Sequence, residues 1–139
     1  MASLIYNTFL FDVLTGNIVM GADTFYMMLV TAAYTPNKDT HTRRSDVTNE
    51  VVGSGYVAGG QACTFTRTDS TPLDRTSYAL STEVWDPSTI TARGAVVYKS
   101  RGGAPANDEL VCYLDFGGDV ISIAGAFTVT PTDPLIFQN

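Results

Sequence analysis

Glu109-Leu110-Val111-Cys112-Tyr113-Leu114-Asp115-Phe116-Gly117-Gly118-Asp119 is the stretch whose pattern decides the fold class. Leu110, Cys112, Leu114 and Phe116 recur at every second position, the period of a strand with one buried face. Gly117-Gly118-Asp119 then reads as a hairpin-type turn. Beyond it, Val120 to Ile123, Ala126 to Thr130 and Leu135 to Phe137 resume the strand pattern. Upstream, Gln61 to Thr68 alternates, with Cys63 and Phe65 on one face and Thr64 and Thr66 on the other. Ser77 to Trp85 alternates less cleanly, and Ser88 to Lys99 fits one long strand bent at Gly94 or two strands. The prolines at 36, 72, 87, 105, 131 and 134 each stand beside polar or turn-forming residues, where strands end. The pattern predicts an all-β chain of about eight strands in a two-sheet β-sandwich, with a jelly roll favoured. An immunoglobulin-like sandwich gives the same local signals, so the strand order stays open.

The N-terminal part differs. Tyr6, Phe9, Leu10 and Val13 share one face at helical spacing, Asn7 or Thr8 suits the start and Gly16 the end. A short helix over about 6–15 is expected, with a strand as the alternative because Leu4, Tyr6 and Thr8 also alternate. Thr24 to Thr31 is apolar on both faces and reads as a strand covered from both sides. Residues 36–60 form a long polar connection, with a helical turn expected near 43–47 and a short strand around 50–52. Connections of this length in small domains are functional or mobile.

The whole chain, 1–139, is expected to be a single domain, since 139 residues suffice for one core without a metal or disulfide staple. Only 16% of residues are charged, against an average of about 25%. Fourteen acids against eight bases give a net charge of −6. That balance argues against nucleic acid as a ligand, because phosphate binding needs a dense Lys/Arg face. No apolar run is long enough for a membrane-spanning helix. Met1-Ala2-Ser3-Leu4 has neither a basic nor a long apolar stretch, so no secretory leader is expected and folding in a reducing cytosol is. Cys63 and Cys112 are then expected to be free and buried, with a disulfide between them as the alternative.

Catalytic constellations are sparse. A nucleophile–base arrangement would have to use His41, the single histidine, which stands beside Arg43 and Arg44 in a hydrophilic stretch. Two cysteines and one histidine do not make a four-ligand zinc site. Asp108 and Glu109 are adjacent, so a solvated turn is a better reading than a carboxylate pair for glycoside hydrolysis. Gly53-Ser54-Gly55 and Gly59-Gly60 lack the GK[ST] of a phosphate loop. No catalytic activity, cofactor or metal is expected. What remains is a binding surface. Its partner-contact candidates are Phe11 on the helix, His41, Arg43 and Arg44 as the one local positive cluster, and Tyr56 in the long connection. Trp85, with Tyr78 or Tyr98, could instead anchor a sugar on a carbohydrate-binding sandwich, although a core place for Trp85 is the plainer reading.

Residues 6–60 also carry a resemblance. Tyr6-Asn7-Thr8-Phe9, Asp12-Val13-Leu14-Thr15-Gly16, Asp23-Thr24-Phe25 and Leu29 to Pro36 resemble the start of a family of small tailed-phage virion proteins. The strongest part is Arg44-Ser45-Asp46-Val47-Thr48-Asn49-Glu50-Val51 with Gly53 to Gly60; Ala95-Val96-Val97-Tyr98 and Tyr113-Leu114-Asp115-Phe116-Gly117 also fit. The chain is most similar to the capsid cement (decoration) proteins of short-tailed phages. The resemblance implies a jelly-roll homodimer on the outer capsid surface of the virion, assembled in the host cytoplasm. Its partner would be a major capsid protein with the HK97-like fold, and its work would be to hold the expanded shell together against the pressure of packed DNA. A tail, fibre or head-completion protein is the alternative within the virion. Shell contacts are expected on the 36–60 connection and the N-terminal helix, and deletion of residues 38–46 is expected to abolish binding while sparing the fold.

Overall fold

The computed structural model describes residues 3–138. Among them are eight strands, β1 (Leu4–Ile5), β2 (Phe25–Val30), β3 (Gln61–Cys63), β4 (Phe65–Ser70), β5 (Arg75–Leu80), β6 (Glu83–Lys99), β7 (Leu110–Val129) and β8 (Leu135–Gln138). One helix, α1 (Asn7–Leu14), follows β1. The strands form two antiparallel sheets, in the orders β1-β7-β6-β2-β3 and β4-β5-β8. The all-β sandwich and its strand number are as expected. Its winding is set by one long hairpin: β6 and β7 pair from Glu83↔Val129 to Tyr98↔Leu110. Around this hairpin the chain changes sheets three times, between β3 and β4, β5 and β6, and β7 and β8.

Two expected breaks fall elsewhere. Gly117-Gly118-Asp119 is not a hairpin turn. Gly94 pairs with Asp115 and Ala92 with Val120, so the chain keeps its direction and the extra residues bulge out of a continuous β7. Gly117, at φ 79°, takes the backbone shape that such a bulge needs. In contrast, Gln61 to Thr68 is not one strand. It divides at Thr64 and passes from the large sheet to the small one, since β3 pairs with β2 and β4 with β5.

β2 is apolar on both sides because both faces of its sheet are covered. Phe25, Met27 and Leu29 face the core shared with the small sheet, together with Ala95, Val97, Val111, Trp85 and Phe127. Met28 and Val30 face a second cluster with Val96, Tyr98, Leu110 and Tyr113. That second face is closed by Tyr6, Tyr34 and Val47, the last two contributed by the chain around the long connection.

The 36–60 connection is thus a cover laid over the sheet, not a free arm. Arg44–Asp46 forms the expected turn, as a 3-10 helix. The expected strand near 50–52 shrinks to a single bridge, Val30↔Glu50, with two more at Arg43↔Glu109 and Ser54↔Thr89. The glycines allow this close fit: a Cβ on Gly53 would lie 2.6 Å from the Thr89 carbonyl oxygen, and one on Gly60 would collide with the Met27 carbonyl.

Candidate functional site

α1 forms over nearly the expected span. It turns Phe9 and Asp12 inward and ends at Gly16, whose N–H reaches the Val13 carbonyl at φ 83°. Leu10, expected on the buried face, points out instead. The reason is Asp12, which takes the inner position. It accepts from Thr8 Oγ1 at 3.2 Å and Asn17 Nδ2 at 3.1 Å, and Arg43 lies 3.8 Å away. A carboxylate this deep is tolerable only with such partners.

His41, Arg43 and Arg44 come together, but with their polar groups engaged by their own chain. The backbone N–H of Asn37 donates to His41 Nδ1 at 3.3 Å, so that nitrogen is the unprotonated one. Tyr34 therefore donates to it at 2.9 Å and accepts from Tyr6 at 2.8 Å. This relay ties the connection to the buried Tyr6, whose phenol is pushed well up by burial and by the Tyr34 bond. Arg44 meets the Asp108 carboxylate at 3.3 Å and lies over the Tyr98 ring, 5.0 Å from its centre. Arg43 donates to the Thr42 carbonyl at 3.1 Å and faces Asp12. The Asp46 carboxylate accepts the N–H groups of Thr42 at 2.8 Å and Arg43 at 3.0 Å, and the Thr42 bond leads in holding it below the usual carboxylate range.

Asp108 and Glu109 overturn the expectation of a solvated turn, because both are buried. Asp108 accepts the Arg101 N–H at 2.9 Å besides pairing with Arg44. Glu109 forms a two-pronged pair with Arg101, at 2.6 and 2.8 Å. Burial alone would raise the Glu109 carboxyl, but the guanidinium outweighs it and holds it below its usual range. The signal that sequence reading lacked is long-range: Arg44 and Asp108 are 64 residues apart.

Tyr56 is likewise occupied. Its hydroxyl donates to Glu50 Oε1 at 2.7 Å and accepts the Leu29 N–H at 2.9 Å, while its ring leans on Trp85 at 6.0 Å. Trp85 and Tyr98 are buried and Tyr78 is half-buried, so these rings serve the core. Cys63 and Cys112 are free and buried, and burial pushes both thiols up, Cys112 to about 12.

Of the five contact candidates, Phe11 alone is strongly exposed, at 63%. It belongs to an apolar surface with Leu10 and Leu14, the latter 85% exposed. A second apolar surface, which sequence reading missed, lies on the outer face of the distal β6–β7 hairpin. Ile121 and Ile123 are exposed there, Ile123 at 79%. Ile121 pairs with Thr91, and the Ala124 N–H donates to Thr89 Oγ1 at 3.0 Å. The Thr89 N–H donates to the Ser54 carbonyl at 2.9 Å, which brings up the loop carrying Val52, 95% exposed. Segments 87–92 and 120–129 carry no charged residue, and the exposed Asp86 and Asp119 flank them.

Among the described residues no helix is long and apolar enough to cross a membrane, and no three metal-ligating side chains converge. No family model, curated protein or solved structure matches the chain.

Proposed function

We propose that this chain is a non-enzymatic structural protein of a tailed-phage virion, which binds the outside of an icosahedral capsid and cements neighbouring major capsid protein subunits. The observation that carries the reading is the pair of exposed apolar surfaces, on α1 and on the distal β6–β7 face, in a chain with only 16% charged residues. Interface centres are depleted of charge, since burying unpaired charges is costly. Two such surfaces let one molecule touch two neighbours, which is what bridging requires. Repetition over a shell makes weak contacts strong together. Tighter binding to the expanded shell than to the immature one would pull the shell toward its expanded form. The resemblance of residues 6–60 to phage cement proteins points the same way and adds a second copy as a further partner.

Co-sedimentation with shells of the chain's own major capsid protein tests the reading. Wild type is expected to bind saturably at hundreds of sites per shell. Phe11→Asp and Ile123→Asp, both on exposed positions, are each expected to weaken binding by about tenfold or more. No binding by wild type refutes the reading. A tail, fibre or head-completion role differs in copy number and would show a single occupied vertex. A carbohydrate-binding role is disfavoured by the burial of Trp85 and Tyr98, which leaves no exposed platform built from those rings.

A further inference from the structure

The two sheets are unequal, five strands against three, and the small sheet leaves part of the large one uncovered. Between them opens a groove of about 620 Å³, well within the range of about 300–1,000 Å³ typical of ligand sites. Phe65, Leu80 and Leu135 of the small sheet form one wall, and Leu114, Phe116 and Phe127 of β7 the other. Phe65, Leu80, Leu114 and Phe116 pack on the core but are only half-buried. Residues 130–134, which lie between β7 and β8 outside any strand, also line the groove. The charged lining residues are Asp115, which Arg93 meets at 3.3 Å, and the exposed Asp133; no lysine or arginine lines it.

We propose that this groove binds an extended polypeptide segment of a partner protein, with apolar side chains at alternate positions and a lysine or arginine at its flank. An extended chain matches both features of the walls. Alternate side chains enter the apolar space, and main-chain groups meet the 130–134 backbone. The exposed Asp133 selects the cationic flank. The proposal stands apart from the capsid reading, since neither α1 nor the outer face of the β6–β7 hairpin lines the groove and its test uses no shell.

The full chain is panned against displayed random heptapeptides, in parallel with Leu80→Trp, which fills the groove, and Asp133→Lys, an exposed substitution that leaves the core intact. Wild type is expected to enrich peptides with the alternating apolar pattern and a basic residue. A synthetic copy of the enriched peptide should shift the NMR signals of Leu80 and Phe116. Its affinity should fall by about tenfold in Leu80→Trp and about threefold in Asp133→Lys, the latter difference shrinking at high salt. Absence of enrichment on wild type overturns the proposal. So does an enriched peptide that binds Asp133→Lys as tightly as wild type and shifts signals on another face.

Discussion

Arg44 shows how far a residue's setting governs its role. In sequence it is half of an Arg-Arg pair in a polar stretch; in the fold it is the counter-charge of the buried Asp108 and the cap of the Tyr98 ring. Removing it leaves a carboxylate inside the protein with one partner fewer. Arg44→Ala is expected to cost about 3 kcal/mol in urea unfolding, and Arg44→Lys less, because breaking a buried pair is far more costly than losing a surface one. The same network fixes the response to acid. Glu109, Asp23 and Asp46 all hold their protons less tightly in the fold than as free carboxyls. Burial works against this at Glu109 and Asp23 and is outweighed, at Glu109 by Arg101 and at Asp23 by the Val19 N–H and Lys99. At Asp46 the Thr42 N–H leads. Carboxyls depressed by folding stabilise the protein fully above the unfolded carboxylate range and lose that contribution as pH falls through their lower folded values. Thermal stability is therefore expected to be flat near neutrality and to drop below about pH 4. A midpoint that rises on acidification would contradict the network.

At the scale of elements, the 36–60 connection carries the sharpest reversal. Deletion of residues 38–46 removes His41, Arg44 and the turn Arg44–Asp46, and so uncovers Tyr34, Tyr6 and the second face of the large sheet. That deletion is expected to abolish cooperative unfolding and to raise binding of a hydrophobic dye, since a domain of this size has only about 5–15 kcal/mol of stability to lose. A deletion chain that stays folded and loses only its binding partner would restore the free-arm view. What the sequence showed was local. The apolar β2 and the short helix before Gly16 are period signals that appeared where expected, whereas the alternation over Leu110 to Phe116 held only for Cys112, Leu114 and Phe116. A register shift at Val97/Tyr98 turns Leu110 to the second face with Tyr113, and Val111 is buried as well. What it concealed was pairing. A glycine pair serves a turn or a bulge equally well, and only the register of Asp115 and Val120 against β6 separates them. Thr64 as a crossing between sheets, and Asp12 as a buried anchor of α1, depend on distant partners in the same way. The candidate surfaces were half legible: Phe11 was found on the helix, whereas Ile121 and Ile123 were read only as part of a strand, and which face they take depends on the pairing of β7 with β6.

For the whole molecule, much of the buried ion pairing gathers at one end of the long hairpin. This part of the ion-pair network, Arg43, Arg44, Lys99 and Arg101 with Asp12, Asp23, Asp108 and Glu109, ties the connection to α1 and to the β6–β7 loop, braces that loop, and holds the end of β6 to the residues before β2. At the other end of the long hairpin, 87–92 and 120–129 carry no charge themselves and expose Ile121 and Ile123, with the exposed Asp86 and Asp119 beside them. Ion pairs thus fasten one end of the fold, while the other exposes an apolar patch around Ile121 and Ile123, with α1 offering a second. In the proposed role both surfaces seat on a capsid shell. Cryo-electron microscopy of shells of the chain's own major capsid protein, saturated with this protein, tests it most directly. The account predicts regularly repeated density, with Phe11 and Leu14 against one capsid subunit and Ile121 and Ile123 against its neighbour. Shells that stay bare, or density in which both surfaces face solvent, would contradict it.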